Sequence, residues 1–488
     1  KIIREFIGND SIITEHHSNV ALDEDNADEL KRAQLLTENW SSPVIITTLV
    51  QLLDTLFAGK TSCIRRMHAL CDSVIVIDEV QTVPNEMLSL FNTAVNFLSE
   101  VCGATIVLCS ATQPCLEQTA HPMTENIKDI VPFDEELWRV FKRTQIIDKG
   151  GMRLDAIPAF IAEQLDRTDS LLVICNLKKQ AAYLFTEMKL ENTVIFHLSA
   201  GMCMAHRMAV ISEINSALER KRTDPDAPKV VCISTQVIEA GVDVSFGCVI
   251  RLCAGLDSVI QAAGRCNRNG ELNGAADVFI INCRGEDLGM LRSIKDGKMA
   301  CMSLLSDYEY HSEKYPSGLT SDEAVYAYYK KLYIQSDIGA QDMPIKIDGS
   351  PFTLFDLLSL DRTFANAPYL KANGEKYALT QAFKTAGSRF TVFGSSTTDV
   401  IVPYSEGKVI IAELGSKRAE EDIKYLKKLI KKARAYTVSL YENQRRALAD
   451  SGALHPIADG IALALSEEFY NEDFGLNLDG ESREAITL

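Results

Sequence analysis

An α/β protein with two parallel-sheet units is what this sequence predicts, and three observations lead there. Short apolar, β-rich runs recur in two sets: "VIITT" (44–48), "SVIVID" (73–78) and "ATIVLCS" (104–110), then "LLVICN" (171–176), "TVIFHL" (193–198), "VVCIST" (230–235), "CVIRLC" (248–253) and "DVFIIN" (277–282). Those of the second set are nearly continuous in apolar character, as parallel strands covered on both faces are. Helical patterns lie between the runs, which is the alternation of an α/β fold. One such helix runs from Pro84 to about Cys102, with Leu88, Phe91, Val95 and Leu98 on one face and Gly103 as its stop. The two sets make two α/β units joined near residues 117 to 150. Beyond residue 283 the strand rhythm ends. Residues 286 to 340 read as helical and the remainder as a smaller mixed domain.

Composition bounds the function. A length of 488 residues suggests about three domains. The net charge of −17 supplies no global attraction to nucleic acid, though it leaves room for a local basic groove. No apolar run reaches the ~18 residues that a bilayer span needs, and the expectation is of a chain without a signal peptide. The thirteen cysteines are odd in number and never spaced Cys-x-x-Cys, which reads as reduced cytoplasmic thiols and gives a zinc site no support. The first residue is Lys1 rather than Met, and the expectation is that an amino-terminal part precedes it.

Gly59-Lys60-Thr61 ends the way a phosphate-binding loop ends. That loop reads Gly-x-x-x-x-Gly-Lys-Ser/Thr between a strand and a helix, and its first glycine would fall at position 54, which is Asp54. Leu49, Leu52, Leu53, Leu56 and Phe57 instead share one helical face, and Thr48 with Gln51 has the spacing of a capping box. Gly59 is then expected to end the helix with a positive φ, beside Lys60 at the negative end of its dipole.

The chemistry gathers at strand ends, where open α/β sheets bind ligands. "VIVIDEVQ" (74–81) puts Asp78 in position to hold Mg²⁺ and Glu79 to orient or activate water, as phosphoryl transfer requires; a solvated loop would read the same way in isolation. Ser110 and Thr112 of "SAT" follow the next strand. In the second unit, "STQVIEAGVDVSF" (234–246) follows a strand, with Gly241 allowing close backbone approach and Asp243 open to a ribose or a basic partner. "QAAGRCNRNG" (261–270) sets Arg265 and Arg268 one helical turn apart, so that both can face one anion; an isolated Arg-x-x-Arg is more often a solvated face.

Together "DEVQ", "SAT", "TQVIEAGVDVSF" and "QAAGRCNRNG" resemble motifs II, III, V and VI of superfamily 2 helicases. The closer resemblance is to the CRISPR-associated helicase–nuclease of type I systems. "EHHSN" (15–19), "GLDSVIQAAGRCNRNGE" (255–271) and "QAFKTAG…VIVPYSEGKVI" (381–410) are similar to the I-C subtype.

That resemblance implies an incomplete RecA-like domain 1 over 1–140, lacking its Walker A portion, and RecA-like domain 2 over 141–285. A helical linker over 286–345 and an accessory domain over 346–488 would follow. It implies an ATP-driven helicase or translocase on single-stranded DNA, recruited by an RNA-guided surveillance complex and working as a monomer, with an HD domain that degrades the target strand. ATP and Mg²⁺ are its cofactors. Asp78 and Glu79 would form one wall of the ATP site, and Gln261, Gly241, Asp243, Arg265 and Arg268 the other. Ser110 and Thr112 would couple hydrolysis to closure. Thr47, Thr48, Thr235 and Gln236 would touch DNA, although Thr48 serves equally as a helix cap.

No phosphate loop occurs, and none of the eight histidines precedes an aspartate. These residues alone are therefore expected to lack nuclease activity and ATP turnover. The rival readings are a superfamily 2 helicase of repair or RNA remodelling, and a non-catalytic split module that binds DNA or the surveillance complex and needs a partner chain. "KRAEEDIKYLKKLIKKARAY" (417–436) reads as a basic amphipathic helix with Ile423, Leu426, Leu429, Ile430 and Ala433 as its apolar stripe. A solvated face over a docked stripe is the simpler account of it, and a DNA groove or docking surface the alternative. His197, His206, Trp40 and Trp138 read as structural.

Overall fold

The computed structural model describes residues 2–9, 12–17, 35–124, 127–131, 141–239, 241–289, 291–334, 339–359, 371–372, 374, 381–392 and 397–478. Ser18, Asn19 and Trp138 of the sequence reading lie outside them. The chain gathers into two units, Lys1–Ile130 with Tyr329–Gly394, and Val131–Tyr328 with Ser395–Leu488.

In the first unit, β1 (Ile13–His16) pairs in parallel with β2 (Val44–Thr47), and β3 (Val74–Ile77) with β4 (Thr105–Leu108). Helix α1 (Leu49–Phe57) starts on Thr48, whose hydroxyl accepts the Gln51 amide. The reciprocal half of a capping box is missing, because the Gln51 side chain accepts instead from Arg66 at 3.0 Å. The helix ends at Ala58, and Gly59 does not adopt a positive φ. Glycine is needed there for a different reason. The Gly59 amide donates to the Gly387 carbonyl at 3.1 Å, and a Cβ on Gly59 would meet the Gly387 backbone at 3.2 Å.

Helix α2 (Leu88–Glu100) follows a 3-10 turn at Asn85–Met87 that begins on Pro84, so the expected helix opens tighter than α. Leu88, Phe91, Val95 and Leu98 are all buried, and Gly103 has φ +68°.

The second unit is built on a six-stranded parallel sheet, ordered β5 (Thr144–Arg153), β10 (Ala276–Arg284), β9 (Cys248–Leu252), β6 (Ser170–Cys175), β8 (Lys229–Thr235) and β7 (Thr193–Leu198). The four inner strands hold the continuous apolar runs, because helices cover both of their faces. One face packs Val173, Ile233 and Ile250 under Ile157, Ile161 and Leu184. The other packs Leu172, Val230 and Val249 under Ile214, Leu218 and Ala262. Edge strand β5 overlaps the end of the expected junction: "TQIIDKGGMR" is half polar, carries two glycines, and is bulged against β10 between Ile280 and Asn282. An edge strand covered on one side does not need the uninterrupted apolar run by which its neighbours are recognised.

Helices α3 (Met204–Thr223), α4 (Leu256–Ala263), α5 (Arg292–Tyr310) and α6 (Asp322–Ile334) continue the chain. The short hairpin of β11 (Pro344–Ile347) and β12 (Ser350–Thr353) belongs to the first unit, where the Met343 amide donates to Glu86 and Ser89 Oγ to Asp342.

A four-stranded sheet follows in the second unit, ordered β14 (Thr437–Tyr441), β13 (Thr397–Ile401), β16 (Ala462–Leu465) and β15 (Leu454–Ile457). Cys203, beside α3, packs into its core with Val400, Leu440 and Leu465. The single basic helix expected over 417–436 is broken. Lys417–Glu421 ends at Asp422, whose carboxylate accepts the Lys424 and Tyr425 amides and starts α7 (Ile423–Ala433). Leu429 and Ala433 are buried, whereas Ile423, assigned to the stripe, is 67% exposed.

Candidate functional site

β3 ends in an acidic turn. Asp78 is exposed, and its Oδ1 accepts the Glu79 amide at 3.0 Å. Glu79 has φ +54°, a left-handed conformation that costs a residue bearing a Cβ and that gathers at functional sites. The Glu79 carboxylate accepts from Gln81 Nε2, and Gln81 Oε1 lies 2.5 Å from Ser110 Oγ. Ser110 Oγ accepts the Thr112 amide at 2.9 Å, and Thr112 Oγ1 is 3.3 Å from the Tyr329 hydroxyl. The turns after β3 and β4 are thus one hydrogen-bonded chain: Glu79, Gln81, Ser110, Thr112, Tyr329. It brings together four residues singled out from sequence, Asp78, Glu79, Ser110 and Thr112. The Asp78 carboxylate keeps an oxygen reachable from solvent, which suits a hard cation held through one carboxylate plus phosphate and water. No group of three or more metal-ligating side chains occurs among the described residues.

In the second unit, the turn after β8 and the turn after α4 are tied to each other. Arg265 is buried, and its guanidinium donates to the carbonyls of Ile238 at 3.1 Å and Glu239 at 2.6 Å. Arg268 is 41% exposed and pairs with Asp243 at 3.0 Å. Helix α4 ends at Ala263, and the Phe246 amide bonds to Arg265 O while the Asn267 amide bonds to Phe246 O. The two arginines therefore sit in a turn rather than on a helical face: one guanidinium points inward and the other to solvent. Gly241 has φ +71° with open space where a Cβ would stand, so the backbone conformation requires the glycine and no close neighbour does. Gln261 is half-buried on α4.

The four residues expected at DNA stand apart. Thr47 Oγ1 donates to the His16 carbonyl at 2.8 Å and ties β2 to β1, and Thr48 caps α1. Thr235 is buried, its hydroxyl without a hydrogen-bond partner among the described residues, and Gln236 opens a 3-10 turn.

Sequence reasoning passed over two things. Gln81 is the joint between the turns after β3 and β4, and its signal was its place as fourth letter of "DEVQ". Glu239 and Arg251 form a buried ion pair at 2.7 Å, with Ser258 and Asn176 completing the hydrogen bonds of Arg251. Burial pushes the Glu239 carboxyl up, against the pull of Arg251. An arginine inside the apolar run "CVIRLC" was the visible signal. Of the residues read as structural, Trp40, His197 and His206 are buried. Trp40 is buried and donates to His16 Nδ1 at 3.1 Å, while His206 lies between the Tyr470 hydroxyl and the Glu472 carbonyl.

Residues 167–271 match the family model described as CRISPR-associated nuclease/helicase Cas3, C-terminal. The chain is 26% identical to the CRISPR-associated nuclease/helicase Cas3 of Haloferax volcanii over 329 residues, which cover 50% of this chain and 35% of that protein. The protein of the same name from Methanothermobacter thermautotrophicus is 25% identical over 250 residues, 47% of this chain and 28% of that one. The chain thus spans about a third of the length of these curated relatives. The crystal structure of T. fusca Cas3-ATP aligns with a TM-score of 0.59 at 15% identity, over 93% of this chain and 57% of that one. That of T. fusca Cas3-ADP aligns at 0.58 and 14%, with the same coverage. At such identities the structures speak to the fold, which they share. The chain is thus similar to CRISPR-associated nuclease/helicase Cas3 proteins, through the family model over residues 167–271 and over about half of its length, and it shares their fold.

Proposed function

We propose that this chain is the motor part of a type I CRISPR interference effector, which uses ATP and Mg²⁺ to translocate on single-stranded DNA brought to it by an RNA-guided surveillance complex. The observation that carries the proposal is the hydrogen-bonded chain from Glu79 through Gln81 to Ser110, Thr112 and Tyr329. A carboxylate meant to orient water must be held by a neighbour, and a hydrolysis site that drives motion must be linked to a second element. Gln81 does both.

Asp78 would hold Mg²⁺, which supplies charge neutralisation to the transferring phosphoryl group. Glu79, held by Gln81, would set the angle of the attacking water. Arg268 is the guanidinium free to meet developing phosphate charge once it leaves the exposed Asp243. Arg265, fixed on the carbonyls of Ile238 and Glu239, would hold the Gly241–Asp243 segment in place. Gln261 would complete the contacts to nucleotide, and Thr47, Thr48, Thr235 and Gln236 those to DNA.

In this reading residues 1–140 and 141–285 are the RecA-like parts, 286–345 a linker and 346–488 an accessory domain. The ATP-bound and ADP-bound forms of T. fusca Cas3 that share the fold support a nucleotide-dependent cycle. The 488 residues contain no Gly-x-x-x-x-Gly-Lys-Ser/Thr segment, so the proposal takes turnover to need a phosphate loop from outside them, and its tests use the full-length protein. Glu79→Gln should leave binding of a fluorescent ATP analogue intact while lowering DNA-stimulated ATP hydrolysis by two orders of magnitude or more. Hydrolysis at the wild-type rate would remove Glu79 from the chemistry.

A further inference from the structure

Helix α7 carries a one-signed face in a chain of net charge −17. At 100° per residue, Lys427, Lys431, Lys424, Lys428 and Lys432 fall on one arc of about 140°. The opposite arc holds Leu429 and Ala433, which are buried, with Leu426 and Ile430 packed beside them against Ile401, Ile410 and Leu414. That packing fixes which way the lysines face. Lys424, Lys427, Lys428 and Lys432 are exposed, and among the described residues no carboxylate forms an ion pair with any of the four side chains. The helix itself contains no acidic residue. An exposed helix serving only solubility normally interleaves both signs, since like charges at i,i+4 repel. Here Lys424, Lys428 and Lys432 stand in such a row, each step rising about 6 Å. A row of that length addresses successive charges along a polymer rather than one small anion.

The aromatic content of the helix narrows the ligand further. Tyr425 lies off the lysine arc, half-buried against the core of the helix's apolar side, with the Arg418 guanidinium 4.2 Å over its ring, so it is not presented beside the lysines as a stacking platform. A surface made to hold single strands by stacking presents aromatic side chains beside its cations. This one presents cations alone.

We propose that the lysine face of α7 is a phosphodiester-binding surface that grips the backbone of a nucleic acid without reading its bases and without regard to strandedness. The proposal does not depend on the ATP chemistry. An acidic protein partner would have no need of such indifference, and the experiment separates the two.

The test compares the full-length protein with the quadruple variant Lys424→Gln, Lys427→Gln, Lys428→Gln and Lys432→Gln. Fluorescence anisotropy would follow a labelled 30-nucleotide oligo(dT) and a labelled 30-base-pair duplex from 50 to 300 mM salt. Each phosphate contact contributes about 0.7 to the log–log salt slope for single strands and about 0.9 for duplex. The expected result is a slope shallower by about 2 to 3 on both probes, with affinity at 100 mM salt lowered at least tenfold. Arg268→Ala, measured alongside, should keep the wild-type slope even where ATP turnover is lost. Slopes unchanged to within half a unit on both probes would overturn the proposal and leave α7 to an acidic protein or to solvent. Loss on the single strand alone would overturn the base-blind, strand-indifferent grip. Because the four side chains point into water, a matching circular dichroism spectrum and melting temperature would show that the variant folds.

Discussion

Arg251 and Glu239 meet at 2.7 Å with side-chain exposures of 0% and 6%. Removing one partner of such a pair strands a charge, which typically costs 3–5 kcal/mol. Arg251→Ala should therefore lower the stability read from urea unfolding by about 3–5 kcal/mol without changing the native secondary structure. A loss below about 1 kcal/mol would mean that Glu239 simply takes up a proton. Gly387 tests the crossing of two backbones. A Cβ there would stand 2.7 Å from both the Cα and the nitrogen of Gly59, so Gly387→Ala should cost about 1–3 kcal/mol of overpacking, whereas a surface glycine would cost a few tenths. His197 tests pH. Burial pulls its pKa from 6.5 down to about 4, between Phe185 and Phe474. Below pH 6.5 the unfolded chain takes a proton that the folded one refuses. Its contribution is thus constant above about pH 7 and is lost as the pH falls toward 4, reaching about 2 kcal/mol at pH 5. Urea titrations at pH 7.5 and pH 5 should show a smaller gap for His197→Phe than for the wild type. An equal gap would assign the acid sensitivity elsewhere.

Elements differ in how openly the sequence declares them. The inner strands β6, β8, β9 and β10 were legible because burial on both faces demands unbroken apolar runs, and helix α2 because its stripe and its stop at Gly103 agree. Strand β5 was hidden: as an edge strand with Gly150 and Gly151, it obeys neither rule. The acidic turn after β3 was legible by its motif. That Gln81 joins it to Ser110 was not, since the partner is 29 residues away. A common face for Arg265 and Arg268 requires α4 to run through them. The helix ends at Ala263, and a β-bridge between Phe246 and Cys266 turns the two side chains apart. The break at Asp422 within the basic segment was visible in principle, because aspartate before an apolar stripe is a strong N-cap. Asp422→Ala should cost about 1 kcal/mol in thermal or chemical unfolding, and no cost would mean that α7 is held by its packing alone.

For the molecule as a whole, one unit of the chain carries the acidic turn and its hydrogen-bonded chain, and the other carries the arginine turn. No helix among the described residues is long and apolar enough to cross a membrane. In the proposed function Arg268, the exposed member of the arginine pair, acts on ATP and not on DNA. The measurement that tests it most directly is DNA-stimulated ATP hydrolysis by full-length Arg268→Ala, with single-stranded DNA affinity measured on the same sample. Turnover should fall by about a thousandfold, as loss of a charge-stabilising arginine gives, with affinity close to that of the wild type. Turnover at the wild-type rate, or a fall in turnover matched by an equal fall in DNA affinity, would contradict it.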